Sequence, residues 1–247
     1  ASLAKAITIK PLDASLRRVL IEYHVRKEEH ALALGAARQA VAALPGDIDL
    51  QLLLGRVLSA GGDTQQAIAA FEKVAAAQPR SPLPLMALAQ AQVEAKSFDA
   101  AAAALKKEQG LGPEAAELVA LAVKVDVLAG RHDEALAKAR ALQTRAPKLV
   151  DGWMLEGDIE MSRRNWSAAA AAFQNALQRK DSSLIAQRVY LAFRQSGDKA
   201  RMESFAAAWL KRHRNDPVFL FSLASWAIDD KDYDLAAARL EQSLRGA

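Results

Sequence analysis

Residues 48–81 read IDLQLLLGRVLSAGGDTQQAIAAFEKVAAAQPRS, and this stretch decides the fold. Ile48 to Ala60 and Thr64 to Ala77 each carry apolar residues at helical spacing, and Gly61-Gly62-Asp63 breaks the chain between them. Pro79 closes the second stretch, because proline lacks the N–H a continuing helix needs and biases the residue before it away from helical angles. The spacing predicts two helices joined by a tight turn.

The same unit recurs on both sides. Pro11, Pro45, Pro79, Pro113 and Pro147 lie 34 residues apart, a period that marks an array of repeats. Counting each repeat from the third residue after its preceding proline, the eighth position holds Gly55, Ala89 and Gly157, and the twentieth holds Ala33, Ala67, Ala101, Ala135 and Ala169. Small residues at these places let two helices approach closely. The twenty-fourth position, Phe71, Leu105 and Phe173, then fills the seam, and the seventeenth carries His30, Thr64, Phe98, His132 and Trp166 at what reads as an aromatic packing position. Gly61-Gly62, Gly130 and Gly197 mark the turns inside repeats.

Leu54-Gly55, Gly61-Gly62-Asp63, Ala67, Phe71 and Pro79, with Trp153, Gly157, Trp166, Ala169 and Phe173 in a later unit, resemble the tetratricopeptide repeat (TPR) family. The resemblance implies an all-α, right-handed solenoid of about seven helix-turn-helix repeats. It divides the chain into the end of a preceding truncated repeat (1–13) and repeats at 14–47, 48–81, 82–115, 116–149, 150–183, 184–216 and 217–247, the last truncated. Asp181 stands where a proline is due, and the sixth repeat is one residue short around Ser196-Gly197-Asp198. Both ends fall inside a repeat without a polar capping helix, so the sequence reads as a piece of a longer array.

Composition narrows the chemistry. Of 247 residues, 51% are hydrophobic, 25% charged and 6% aromatic, and alanine is far more frequent than usual. No window approaches the length of a membrane span, since Glu117 to Ala129 is broken by Lys124 and Asp126. The absence of cysteine removes disulfides, thiolate nucleophiles and cysteine-ligated metals, and leaves the compartment open. A net charge of +4 on a mixed surface argues against a dedicated nucleic-acid binder.

Candidate catalytic patterns lack their parts. Gly110-Leu111-Gly112-Pro113 reads as an inter-repeat turn, with no Lys-Ser/Thr to hold a phosphate, and Ser2-Leu3-Ala4-Lys5 stands without partner motifs. His24 and His30 fall on different helical faces, and Glu28-Glu29, Asp133-Glu134 and Asp229-Asp230 lie beside turns, where acids favour helix starts. The chain is expected to be no enzyme and to need no cofactor or metal. Lys211-Arg212-His213-Arg214 closes a helix of the sixth repeat, in a segment (Ser182 to Asp216) with seven basic and three acidic residues. That run leaves open a contact with polysaccharide or another anion, and a weaker one with nucleic acid.

In the TPR family the first helix of each repeat lines the ligand groove. Carried onto this chain, the resemblance implies groove residues Arg18, Glu22, Arg26, Arg56, Leu83, Met86, Gln90, Val93, Lys124, Val127, Asp151, Met154, Asp158, Met161, Arg188, Phe221 and Ile228. A mixture of Met, Val and Phe with scattered charges suits a protein or peptide partner, though such side chains also pack against neighbouring helices. Asn165, Asn175 and Asn215 lie elsewhere, so the carboxylate clamp of some relatives has no support. The runs Ala141-Leu142-Gln143-Thr144-Arg145-Ala146-Pro147, Gly152, Leu155-Glu156-Gly157-Asp158, Trp209-Leu210 and Asp216 resemble TPR lipoproteins of bacterial exosortase and exopolysaccharide systems. That resemblance implies a periplasmic scaffold, held at the outer membrane by a lipid anchor outside this sequence, that assists polysaccharide export or surface protein sorting. The alternative is a cytoplasmic TPR adaptor of another complex.

Overall fold

The computed structural model describes residues 2–79, 81–106 and 115–244. Among them are fifteen α-helices and no strands, as the TPR-like period predicts. A leading helix α1 (Ser2–Ile9) is followed by seven pairs: α2 (Ala14–Arg26) with α3 (His30–Ala43), α4 (Ile48–Ala60) with α5 (Thr64–Ala77), α6 (Pro82–Glu94) with α7 (Phe98–Lys106), α8 (Ala115–Leu128) with α9 (His132–Arg145), α10 (Asp151–Ser162) with α11 (Trp166–Arg179), α12 (Ser183–Ser196) with α13 (Lys199–Arg212), and α14 (Pro217–Asp229) with α15 (Tyr233–Leu244). The predicted turn Gly110-Leu111-Gly112-Pro113 lies outside the described residues. No described helix is long and apolar enough to cross a membrane.

Each pair turns on one left-handed residue. Glu28, Gly62, Lys96, Gly130, Arg164, Gly197 and Lys231 all have φ between 57° and 81°. At five of these turns the next N–H reaches back to a carbonyl of the helix just ended: Glu29 to His24, Asp63 to Leu58, Ser97 to Gln92, Asn165 to Glu160 and Asp232 to Ala227, at 2.8–3.0 Å. This Schellman pattern satisfies helix-end carbonyls and starts the second helix two residues later. At Gly197, where the sequence is a residue short, the Asp198 N–H takes the Ser196 hydroxyl instead, at 3.3 Å.

The chain divides into two compact units, Ala1–Ala129 and Gly130–Ala247. In the first, Ile21, Ala33, Ala37, Ala40, Leu50 and Val57 join α2, α3 and α4, while Phe71, Val74, Leu85 and Leu88 carry the core from α5 into α6. In the second, Ala169, Phe173, Val189 and Phe193 bind α11 to α12, and Trp209, Phe219 and Leu220 bind α13 to α14.

The small-against-large pattern is realised atom for atom. Ala33, Ala67, Ala101, Ala135 and Ala169 are fully buried, as are Phe71 and Phe173 to within a few per cent. A Cβ built on Gly55 would stand 2.4 Å from Phe71 Cε1, and one on Gly157 would stand 2.3 Å from Phe173 Cε1. In the first pair the sizes are exchanged: Ile21 on α2 meets the core beside Ala37 on α3. The seventeenth position is less uniform than its sequence reading. His30 is exposed, whereas Thr64, Phe98, His132 and Trp166, each also the first residue of its helix, are half-buried.

Candidate functional site

The first helix of each pair carries the predicted partner-binding residues. In the first unit these are Arg18, Glu22 and Arg26 on α2, Arg56 on α4, Leu83, Met86, Gln90 and Val93 on α6, and Lys124 and Val127 on α8. In the second they are Asp151, Met154, Asp158 and Met161 on α10, Arg188 on α12, and Phe221 and Ile228 on α14. All seventeen are exposed or half-exposed. The burial of Leu50, Leu52, Val57 and Leu58 on α4 shows why: the period turns one stripe of each first helix inward and leaves the predicted stripe outside.

These residues do not all have the same freedom. Met86 and Val93 pack against the core that joins α6, α7 and α8, and Met154 and Met161 against the core that joins α11 and α12, so the methionines serve the fold as well as the face. Leu83, Phe221 and Ile228 stand clear, at 47%, 66% and 49% exposure. Leu184 and Val218 belong beside them, at 66% and 45%, although neither is among the predicted residues. Their signal was present in the chain. α6, α12 and α14 begin at Pro82, Ser183 and Pro217, which makes Leu83, Leu184 and Val218 the second residue of each helix; a sixth repeat starting at 184 hides Leu184.

Electrostatics differ between the two units. The first unit presents Arg18, Arg26, Arg56 and Lys124 against Glu22. In the second, Arg188 pairs with Asp158 across α10 and α12, and its guanidinium lies 5.5 Å from the Phe173 ring centroid. Burial pushes the Asp158 carboxyl above its ordinary range, and the attraction and hydrogen bond of Arg188 offset only part of that. The pair ties two successive first helices together at the face itself.

The basic run at the end of α13 is engaged within the protein. Arg212 and His213 both reach Asp181 Oδ2, at 3.0 Å each, so the residue that replaces the expected proline anchors the run. The His213 ring stacks on Trp209 at 3.9 Å between centroids, and Trp209 Nε1 donates to Asp216 Oδ2 at 2.8 Å. Lys211 and Arg214 remain exposed. One member of each acid pair found in the sequence is also engaged: Glu29 meets His24, Asp133 meets Arg163 and Asp230 meets Arg194. Among the described residues no group of three or more His, Cys, Asp or Glu is placed to hold a metal ion.

Comparison with known proteins agrees with this architecture. The tetratricopeptide repeat family matches residues 52–116 and 127–184. No curated protein matches the chain at a significant level. Among solved structures, it is similar to a tetratricopeptide repeat protein from Parabacteroides merdae (14% identity, 93% of this chain and 92% of that one, TM-score 0.58). It is also similar to PilF of Pseudomonas aeruginosa (14% identity, 82% and 94%, TM-score 0.55) and to YrrB, described as a TPR protein with an unusual peptide-binding site (18% identity, 75% and 95%, TM-score 0.52). The chain carries tetratricopeptide repeats over both matched stretches and is, in fold, a tetratricopeptide repeat protein.

Proposed function

We propose that the protein is a non-catalytic scaffold that binds a protein or peptide partner along the first helices of its repeats. The observation that carries this reading is the apolar set Leu184, Val218, Phe221 and Ile228, left exposed on α12 and α14 of the second unit, with Leu83 likewise exposed on α6 of the first. Large apolar side chains held in water on one face of a rigid element are contact sites for a partner. TPR proteins bind protein or peptide partners, and the neighbour YrrB is itself described by a peptide-binding site.

The setting proposed for this activity is the bacterial envelope, in exopolysaccharide export or surface protein sorting, with an outer-membrane lipid anchor beyond this sequence. It rests on the short runs around Ala141–Pro147, Gly152–Asp158 and Trp209–Asp216. An anionic or polysaccharide ligand at Lys211 and Arg214 is the weaker reading, because Asp181 already occupies the neighbouring Arg212 and His213.

Affinity capture from source cells, followed by binding measurements with the recovered partner, separates the readings. Leu83→Asp with Phe221→Asp removes binding and Lys211→Glu with Arg214→Glu leaves it intact if the first-helix face is the site. The reverse result, with binding that falls steeply with salt, overturns the proposal in favour of an anionic ligand. A partner without any role in the envelope overturns the proposed setting and leaves the scaffold standing.

A further inference from the structure

The sixth pair departs from the others in a way that opens a cavity. α13 approaches α12 less closely than the two helices of the other pairs within either unit approach one another. Two residues differ there from the glycine–phenylalanine pairs. Where α4 and α10 have Gly55 and Gly157, α12 has Tyr190; where α5 and α11 insert Phe71 and Phe173, α13 has Ala206. The Tyr190 ring does not enter the seam, but stacks on Trp226 of α14 (5.0 Å, 11° between planes) and meets Phe219 edge-on at 6.0 Å. Phe205 and Trp209 fill the far end of the space against Phe219. The near end stays open as a cavity of about 820 Å³ bounded by α12, α13, α14 and α15.

Its lining is that of a recognition site. Tyr190, Met202, Ala206, Leu223 and Ala227 make an apolar floor, and Leu235 of α15 extends it. Charges of both signs stand around the mouth: Lys199 and Glu203 on α13, Arg239 and Asp232 from α15 and the turn before it, and the Arg194–Asp230 pair, 2.6 Å between Nη2 and Oδ1. The volume lies within the range of ligand sites, roughly 300–1,000 Å³. A balanced rim favours neither a polyanion nor a polycation, and charged groups so close do not suit a purely apolar chain. It complements a polypeptide segment that buries an apolar side chain and carries acidic and basic neighbours.

We propose that this cavity is a second docking site, separate from the first-helix face, for an amphipathic segment of a partner polypeptide that seats an aromatic or long aliphatic anchor on the Tyr190 floor. Its test uses the intact chain and a displayed library of random peptides. Selected peptides are measured against three variants: Ala206→Phe, which fills the cavity from within; Ala207→Arg, which blocks its mouth from an exposed position; and Phe221→Asp, which disables the first-helix face. One class of peptide should carry an apolar anchor flanked by both charges and lose at least about tenfold in affinity with either cavity variant while ignoring Phe221→Asp. Ala206→Phe should melt no lower than the parent, because it fills space rather than overpacking a closed seam. A library with no peptide sensitive to Ala207→Arg, or an Ala206→Phe protein that melts several degrees lower, overturns the proposal. Peptides lost only with Phe221→Asp do the same, while supporting the first-helix face.

Discussion

A single added carbon at Gly55 would stand 2.4 Å from the Phe71 ring, closer than packed carbons come, and the ring is buried with nowhere to swing. Gly55→Ala is therefore expected to cost about 1–3 kcal/mol in urea unfolding despite alanine's better helix propensity, and Phe71→Ala about 3–5 kcal/mol. Adding Phe71→Leu to Gly55→Ala should recover part of the first loss, and a neutral Gly55→Ala would contradict the register. The left-handed turns make an opposite prediction. Lys96 holds φ 57°, where a side chain crowds the backbone, so Lys96→Gly should stabilise by about 1 kcal/mol, whereas Gly62→Ala should cost about as much. The sequence displayed the first effect and hid the second. Glycine and phenylalanine at fixed spacing announce a close approach by their sizes. Glu28, Lys96, Arg164 and Lys231 give no sign of positive φ except that they share a register with Gly62 and Gly130.

The start of α14 shows how one carboxylate organises an element. Asp216 accepts from the Phe219 N–H at 3.1 Å and from Trp209 Nε1, which fixes the N-terminus of α14 against the last turn of α13. Burial alone would raise its pKa, but the hydrogen bonds from Trp209, Phe219, Ser183 and Val218 outweigh it and hold the carboxyl below its ordinary value. A carboxylate lowered in the fold adds stability above its unfolded pKa, about 4, and loses it as pH falls through the folded value. Asp181, lowered mainly by its hydrogen bond from His213, acts in the same direction, while Asp158, raised by burial, offsets part of the loss. Melting temperature should fall as the solution is acidified below about pH 4, and Asp216→Asn should make that fall shallower while lowering stability at neutral pH. An unchanged acid profile would remove Asp216 from this role. The sequence marked Pro217 as the start of the seventh repeat, but not that Trp209 and Asp181 would gather around Asp216, because these contacts join residues whose spacing follows no repeat.

Across the molecule, the 34-residue period made the helix pairs legible in the sequence alone, and with them the stripe of each first helix that stays outside. What it could not supply was the division of labour on that stripe. Met86, Met154 and Met161 read as contact residues and prove to be half-buried against the cores, while Leu184 emerges only when the start of α12 at Ser183 is known. The cavity lined by Tyr190 was invisible for a related reason: it arises where the repeated pattern of sizes is broken. The central claim, that a partner docks on the first helices, is tested most directly by hydroxyl-radical footprinting of the protein with and without its bound partner. Docking there predicts that Leu83, Phe221 and Ile228 lose reactivity on binding while the exposed second-helix residues Leu32, Tyr233 and Leu240 keep theirs. Protection confined to the second-helix residues, with the first-helix set as reactive as in the free protein, would contradict it.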